Sequence, residues 1–97
     1  MSWKVTAYCG DECCNGPYAW QTASGRSLSP SDSYKVCAAP NDIPFGTILH
    51  VTGGWNGDVE VVDRGKAING KKLDIFIHPH EEADDFGVKW CNVSKKK

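Results

Sequence analysis

Two aspartates stand out by their setting. Asp63 closes the run Gly57-Asp58-Val59-Glu60-Val61-Val62-Asp63, and Asp74 lies inside Leu73-Asp74-Ile75-Phe76-Ile77. Between them runs a connection with Gly65, Gly70 and the basic residues Arg64, Lys66, Lys71 and Lys72. A carboxyl group enclosed by apolar strand residues is partly desolvated, and desolvation raises its pKa. A raised pKa is what a general acid needs near neutral pH. Two carboxyls in unequal environments are also the pairing that cleaves glycosidic bonds. The same residues admit a plainer reading. A strand-end aspartate often closes a turn, so Asp63 can bond the backbone of Gly65, and Asp74 can simply face solvent.

The elements that would position this pair are short. Strand-like runs cover 3–8, 34–39, 47–52, 57–63, 72–77 and 88–93, separated by turn residues. Gly53-Gly54-Trp55-Asn56-Gly57 reads as a hairpin tip. One helix is expected over His78-Pro79-His80-Glu81-Glu82-Ala83-Asp84-Asp85-Phe86-Gly87. Pro79 lies near its first turn, Glu81 and Glu82 sit where the helix dipole favours acids, Ala83 and Phe86 form the buried side, and Gly87 is the stop. Six short strands and one small helix in a single domain over residues 1–97 point to a closed β-barrel, which removes the exposed edges of so small a sheet.

Bulk properties narrow the function. A net charge of −1 gives no general attraction to nucleic acid, and no apolar run is long enough to span a bilayer. The first residues enter a strand pattern at once and carry no signal peptide, so the chain is expected to be an intracellular or phage-borne module, or a piece of a longer exported one. Five cysteines are many for 97 residues. Cys9, Cys13 and Cys14 crowd together, and bridges from this cluster to Cys37 or Cys91 are expected, with at least one thiol left over. Such bridges would pin the long Gly10–Ser33 connection and suit an exported protein. A zinc site is disfavoured, since Cys37 and Cys91 are isolated and His78 and His80 lack completing ligands. No metal or cofactor is expected.

Among the aromatics, Tyr8 fits either a sugar contact or a buried barrel tyrosine, and Trp20, in a loop, is a candidate platform for a sugar ring. Trp55 is assigned to core or surface, and Trp3 and Trp90, in strand runs, to the core. His50 is expected to point outward from its strand. His78 is expected at a groove edge or helix start. The basic set Arg64, Lys66, Lys71 and Lys72 reads as a solvated loop.

Taken in order, Val5-Thr6-Ala7-Tyr8-Cys9-Gly10, Thr22-Ala23-Ser24-Gly25, Ile43-Pro44-Phe45-Gly46-Thr47, the stretch from Val61 to Phe76 and Glu81-Glu82-Ala83-Asp84-Asp85-Phe86-Gly87 resemble the Asp-Asp-Asp ("three-D") domain of bacterial cell-wall proteins. The chain is also similar to rare lipoprotein A, the A-type membrane-bound lytic transglycosylases, barwin and expansins. The resemblance runs from about Val5 to Val93. It implies a mainly β, six-stranded double-psi β-barrel with one short helix. It also implies a secreted or cell-wall location and peptidoglycan glycan strands as partner, with no nucleic acid, no membrane insertion and a monomeric chain. The lytic members cleave the MurNAc–GlcNAc bond without water and leave a 1,6-anhydro sugar.

Carried over by position, the family loop falls on Asp63 to Gly70, and the catalytic acid of the lytic relatives falls on Asp74. Asp63 becomes its partner. Thr6 and Tyr8 match positions that line the groove in relatives, Thr22 belongs to the Thr-Ala-Ser-Gly motif, and Thr22, Trp20, Asp42 and His78 complete the expected substrate contacts. The family's first aspartate falls on Ala39, so the third acid is missing from its slot, and Asp42 is the acid nearest to it. The resemblance leaves two other activities open. One is a barwin-like hydrolysis with Asp63 as the base; the other is an expansin-like, non-catalytic wall-binding module.

Overall fold

The structure is a computed structural model that describes residues 2–8, 22, 24–25, 27–40, 42–64, 71–78 and 80–96. Six strands form a closed barrel: β1 (Ser2–Tyr8), β2 (Val36–Ala38), β3 (Ile48–Gly53), β4 (Gly57–Asp63), β5 (Lys72–Phe76) and β6 (Lys89–Lys95). Their order around the barrel is β1-β5-β2-β4-β3-β6, with β6 returning to β1. The β1/β5 and β2/β4 pairs are parallel and the other four are antiparallel. The expected mainly β, six-stranded closed barrel is therefore the fold, and its two parallel pairs suit the double-psi arrangement.

Alternation along the strands fills the barrel. Val5, Cys37, Leu49, Val51, Val59, Val61, Leu73, Ile75 and Cys91 point inward and are buried together. Burying each such aliphatic side chain contributes about 1.5–3 kcal/mol. Helix α1 (His80–Phe86) closes one end with Ala83 and Phe86, its two buried residues. It stops at Gly87, whose φ of +64° takes the left-handed conformation that ends a helix. The β3–β4 hairpin closes as expected: Gly53 has φ +107°, and its N–H donates to the Asn56 side chain at 3.2 Å.

A second apolar cluster lies outside the barrel wall. Tyr8, Val36, Ala38, Val62 and Phe76 face outward and are covered by Leu28. The segment carrying Leu28 is strapped across the sheet by backbone bonds from Ser24 N–H to the Val62 carbonyl (3.2 Å) and from Tyr34 N–H to the Phe76 carbonyl (2.8 Å). Asp32 holds the short 3-10 turn Pro30–Asp32 by accepting from the Ser29 N–H at 3.1 Å. This covering explains why β2 is buried on both faces.

Three expectations need correction. Cys37 and Cys91 are free thiols buried in the barrel, so neither is bridged; their inward positions aim the sulfurs at core side chains rather than at the surface. Cys9, Cys13 and Cys14 lie outside the described residues. Trp90 is 61 % exposed rather than core, because Cys91 takes the inward position of β6 and turns its neighbour out. The run 34–39 begins its strand only at Val36, since Tyr34 has a φ of +67° that no strand residue adopts. Of the core and surface positions left open for Trp55, it takes the core side, stacked on Tyr34 (centroids 6.3 Å) and edge-on to Phe86 (6.4 Å). Trp3 is half-buried against the same core. His50 points outward, 2.6 Å from Asp58, which also receives Lys96 at 2.6 Å.

Candidate active site

Both aspartates flank one residue. On β2, Ala38 pairs with Asp63 of β4 on one side and with Asp74 of β5 on the other. Their Cα atoms are thus two inter-strand spacings apart, roughly 10 Å. Strict alternation would send Asp63 inward with Val59 and Val61. A register shift between Cys37 and Ala38 prevents this: Cys37 pairs with Val61, whereas Ala38 pairs with Asp63. The extra residue on β4 is a bulge that re-aims Asp63 outward beside Val62, onto the face of Asp74. Two consecutive valines before the aspartate are its trace in the sequence.

Asp74 projects from β5 between Leu73 and Ile75, both fully buried. Thr6, its register partner on β1, donates its hydroxyl to Asp74 Oδ1 at 3.1 Å. Burial is the main cause that raises the Asp74 pKa to about 6; the Thr6 hydrogen bond works against it, and the Asp63 charge adds a smaller push upward. The two-strand separation explains why the push from Asp63 is small. Desolvation, more than the neighbouring Asp63 charge, is what raises the Asp74 pKa.

Asp63 is anchored. Its Oδ1 accepts the Arg64 N–H at 2.8 Å, and its Oδ2 accepts the Tyr8 hydroxyl at 3.4 Å. Tyr8 in turn lies against Phe76, with ring centroids 5.8 Å apart. Burial, with the nearby Asp63 and Asp74 charges, pushes the Tyr8 phenol far above its ordinary value, so it stays a neutral donor. Arg64 is part of this scaffold rather than of a solvated loop. Its guanidinium donates to the Asp63 carbonyl at 3.1 Å and to the Ile43 carbonyl, and sits 4.1 Å from the Phe45 ring centroid. That clamp ties the Ile43–Phe45 turn to the end of β4.

Thr6 and Tyr8 therefore join Asp63 and Asp74 on one outward face. Thr22 bonds the Ser24 hydroxyl at 2.9 Å, and Ser24 is held to Val62, so the pair lies beside the end of β4. Asp42 is exposed on the turn in which Ile43 N–H bonds the Pro40 carbonyl at 3.1 Å. His78, just past β5, is half-buried and donates its N–H to Ser33 Oγ at 2.9 Å, which secures the covering strap. Trp20 and residues 65–70 lie outside the described residues. Ala39, where the resemblance expects a third acid, is buried in the barrel core, and it is Ala38 that stands between the aspartates. Residues that the sequence reading did not single out are Ala38, Leu28 and Phe76. Among the described residues, no group of three His, Cys, Asp or Glu gathers as a metal site, and no helix is long and apolar enough to cross a membrane.

Residues 35–95 match the 3D domain. The chain belongs to the 3D-domain family. Over 92 % of its length, this 3D domain is 36 % identical to the cell wall-binding protein YocH of Bacillus subtilis, and over 96 % it is 37 % identical to that organism's putative cell wall shaping protein YabE. It spans only 30 % and 22 % of those proteins. Its fold is shared with the lytic transglycosylase MltA of E. coli. The TM-score is 0.64 to a variant in an apo form, at 20 % identity over 77 % of this chain and 26 % of that one. A second MltA structure gives 0.61, at 24 % identity over 79 % and 27 %.

Proposed function

We propose that this 3D domain cleaves peptidoglycan glycan strands as a lytic transglycosylase, with Asp74 as acid and then base. The observation that carries the reading is Asp74 itself, an outward-facing carboxyl held by Thr6 with its pKa raised to about 6. The MltA fold and the wall-binding and wall-shaping relatives support the substrate class and a secreted or wall-associated location. In the first step, Asp74 gives its proton to the glycosidic oxygen, which leaves C1 of the muramyl ring with the bonding electrons. In the second, the muramyl C6 hydroxyl oxygen bonds to the oxocarbenium-like C1, and its proton passes to the Asp74 carboxylate. The acid is regenerated and no water is consumed. Tyr8 and Arg64 fix Asp63 two strands away on the same face as Asp74, where it adds to the field at the reacting carbon.

A second reading, a wall-binding module without catalysis, is favoured by the name of YocH and by Ala39 in the slot of the third acid. Dye release from labelled peptidoglycan separates the two. The enzyme reading expects release that is steady below pH 6 and falls about tenfold per pH unit above it, as the acid form of Asp74 disappears. Thr6→Val, which removes the bond that lowers the Asp74 pKa, is expected to move this alkaline limb to higher pH. Co-sedimentation with the wall without any release at any pH would leave only the binding module.

A further inference from the structure

The outward face that carries Asp74 continues across β1 onto β6. One pleat from the Thr6–Asp74 row, Lys4 of β1 pairs with Lys72 of β5 on one side and with Trp90 of β6 on the other. Val5, Leu73 and Cys91 are buried in the barrel, so Lys4, Lys72 and Trp90 share the outer face with Thr6 and Asp74. The distance between the two rows is about 7 Å, two residues along a strand. On the far side of Trp90 comes Gly54, whose N–H bonds the Trp90 carbonyl at 3.2 Å and which has no side chain to cover the ring. The indole is accordingly 61 % exposed, and the row holds two ammonium groups and no carboxylate.

An exposed indole beside two paired lysines, on a chain of net charge −1, is a local arrangement for an anion attached to an apolar or sugar-like body. Resting on the peptidoglycan reading above, we propose that Lys4, Lys72 and Trp90 form a subsite for the peptide branch of the muramyl residue next to the cleaved bond. The ammonium groups receive the branch's free carboxylates, and the indole packs against its aliphatic part. A muramyl ring held over Asp74 places its branch within one pleat of this row, so the subsite fixes which sugar lies on which side of the acid.

The test compares binding to peptidoglycan carrying its peptides with binding to glycan strands stripped of them by an amidase, both freed of phosphate polymers. The native chain is expected to bind the peptide-bearing form roughly fivefold more tightly at low salt, an advantage that shrinks as ionic strength rises. The Lys4→Ala/Lys72→Ala double variant and Trp90→Ala are expected to lose that advantage while still binding stripped strands. Lys72→Glu, at an exposed position that does not burden folding, is expected to invert it. Equal binding of both forms by the native chain, or an unchanged advantage in Lys72→Glu, overturns the subsite alone. Displacement by a purified phosphate polymer, but not by free peptide branch, assigns the row to phosphate and also overturns it. Binding of neither form overturns the peptidoglycan reading beneath it.

Discussion

Replacing Asp74 with asparagine is expected to reduce glycan cleavage by about 10²–10⁴-fold, the usual contribution of a positioned general acid. Binding to the wall is expected to survive, because the amide keeps the shape of the carboxyl and can still accept the Thr6 hydroxyl that now lies 3.1 Å from Asp74. The same variant is expected to be the more stable protein above pH 6. In the fold the Asp74 pKa is about 6, against an ordinary 3.8. Between these values the native state holds the proton more tightly than the unfolded chain, so stability falls as pH rises from about 4 to about 6 and is level above. At about 1.4 kcal/mol per pH unit, holding the ionised carboxylate in this site costs the fold roughly 3 kcal/mol at neutral pH. Asparagine carries no charge and escapes that cost. Urea unfolding of both proteins is therefore expected to give similar stabilities at pH 4 and a gap of ~2–3 kcal/mol in favour of Asp74→Asn at pH 7. Equal stability at both pH values would mean that Asp74 is well solvated and no better placed as an acid than any surface aspartate. A gain in stability coupled to a loss of activity is the mark of a site strained for function.

The other large effect concerns the apolar cluster outside the barrel wall. Phe76→Ala is expected to destabilise the fold by about 3–5 kcal/mol, the range for a fully buried phenylalanine. Phe76 has no exposed surface and joins Tyr8, Leu28, Val36, Ala38 and Val62 outside the barrel wall. For a domain whose total stability is of order 5–15 kcal/mol, that is a large fraction, and the melting temperature is expected to fall by roughly 15–30 °C. The consequence reaches the chemistry, since the Phe76 ring supports Tyr8 and Tyr8 bonds Asp63. Differential scanning calorimetry measures the effect. A fall of only a few degrees would mean that the Leu28 strap does not cover this face, and the second cluster would not be a structural unit.

Much of this was legible in the order of residues. The six strands and the helix were marked by period-two apolar runs, by the Gly53–Gly57 tip and by Gly87, because backbone chemistry at turns and caps is local. Asp74 was marked by its apolar neighbours. What was not legible depends on pairing. The bulge opposite Ala38 decides that Asp63 shares the face of Asp74, and a single residue of register is invisible without the partner strand. Trp90 looked like core because it lies in a strand run, yet a barrel strand has two faces and Cys91 holds the inner one. Cys37 looked available for a bridge, but the inward pleat of β2 places it in the barrel with Val61 as its neighbour. The role of Arg64 was hidden in the same way, since its acceptors, the carbonyls of Asp63 and Ile43, come together only in the fold.

Mass analysis of the fragments released from purified peptidoglycan in heavy-oxygen water decides whether Asp74 drives cleavage of the glycan without water. Muropeptides ending in a 1,6-anhydro sugar, lighter by one water than hydrolysis products and free of heavy oxygen, are expected from the native chain, and none from Asp74→Asn. Fragments with reducing ends that carry heavy oxygen, or anhydro fragments still released by Asp74→Asn, would contradict that mechanism.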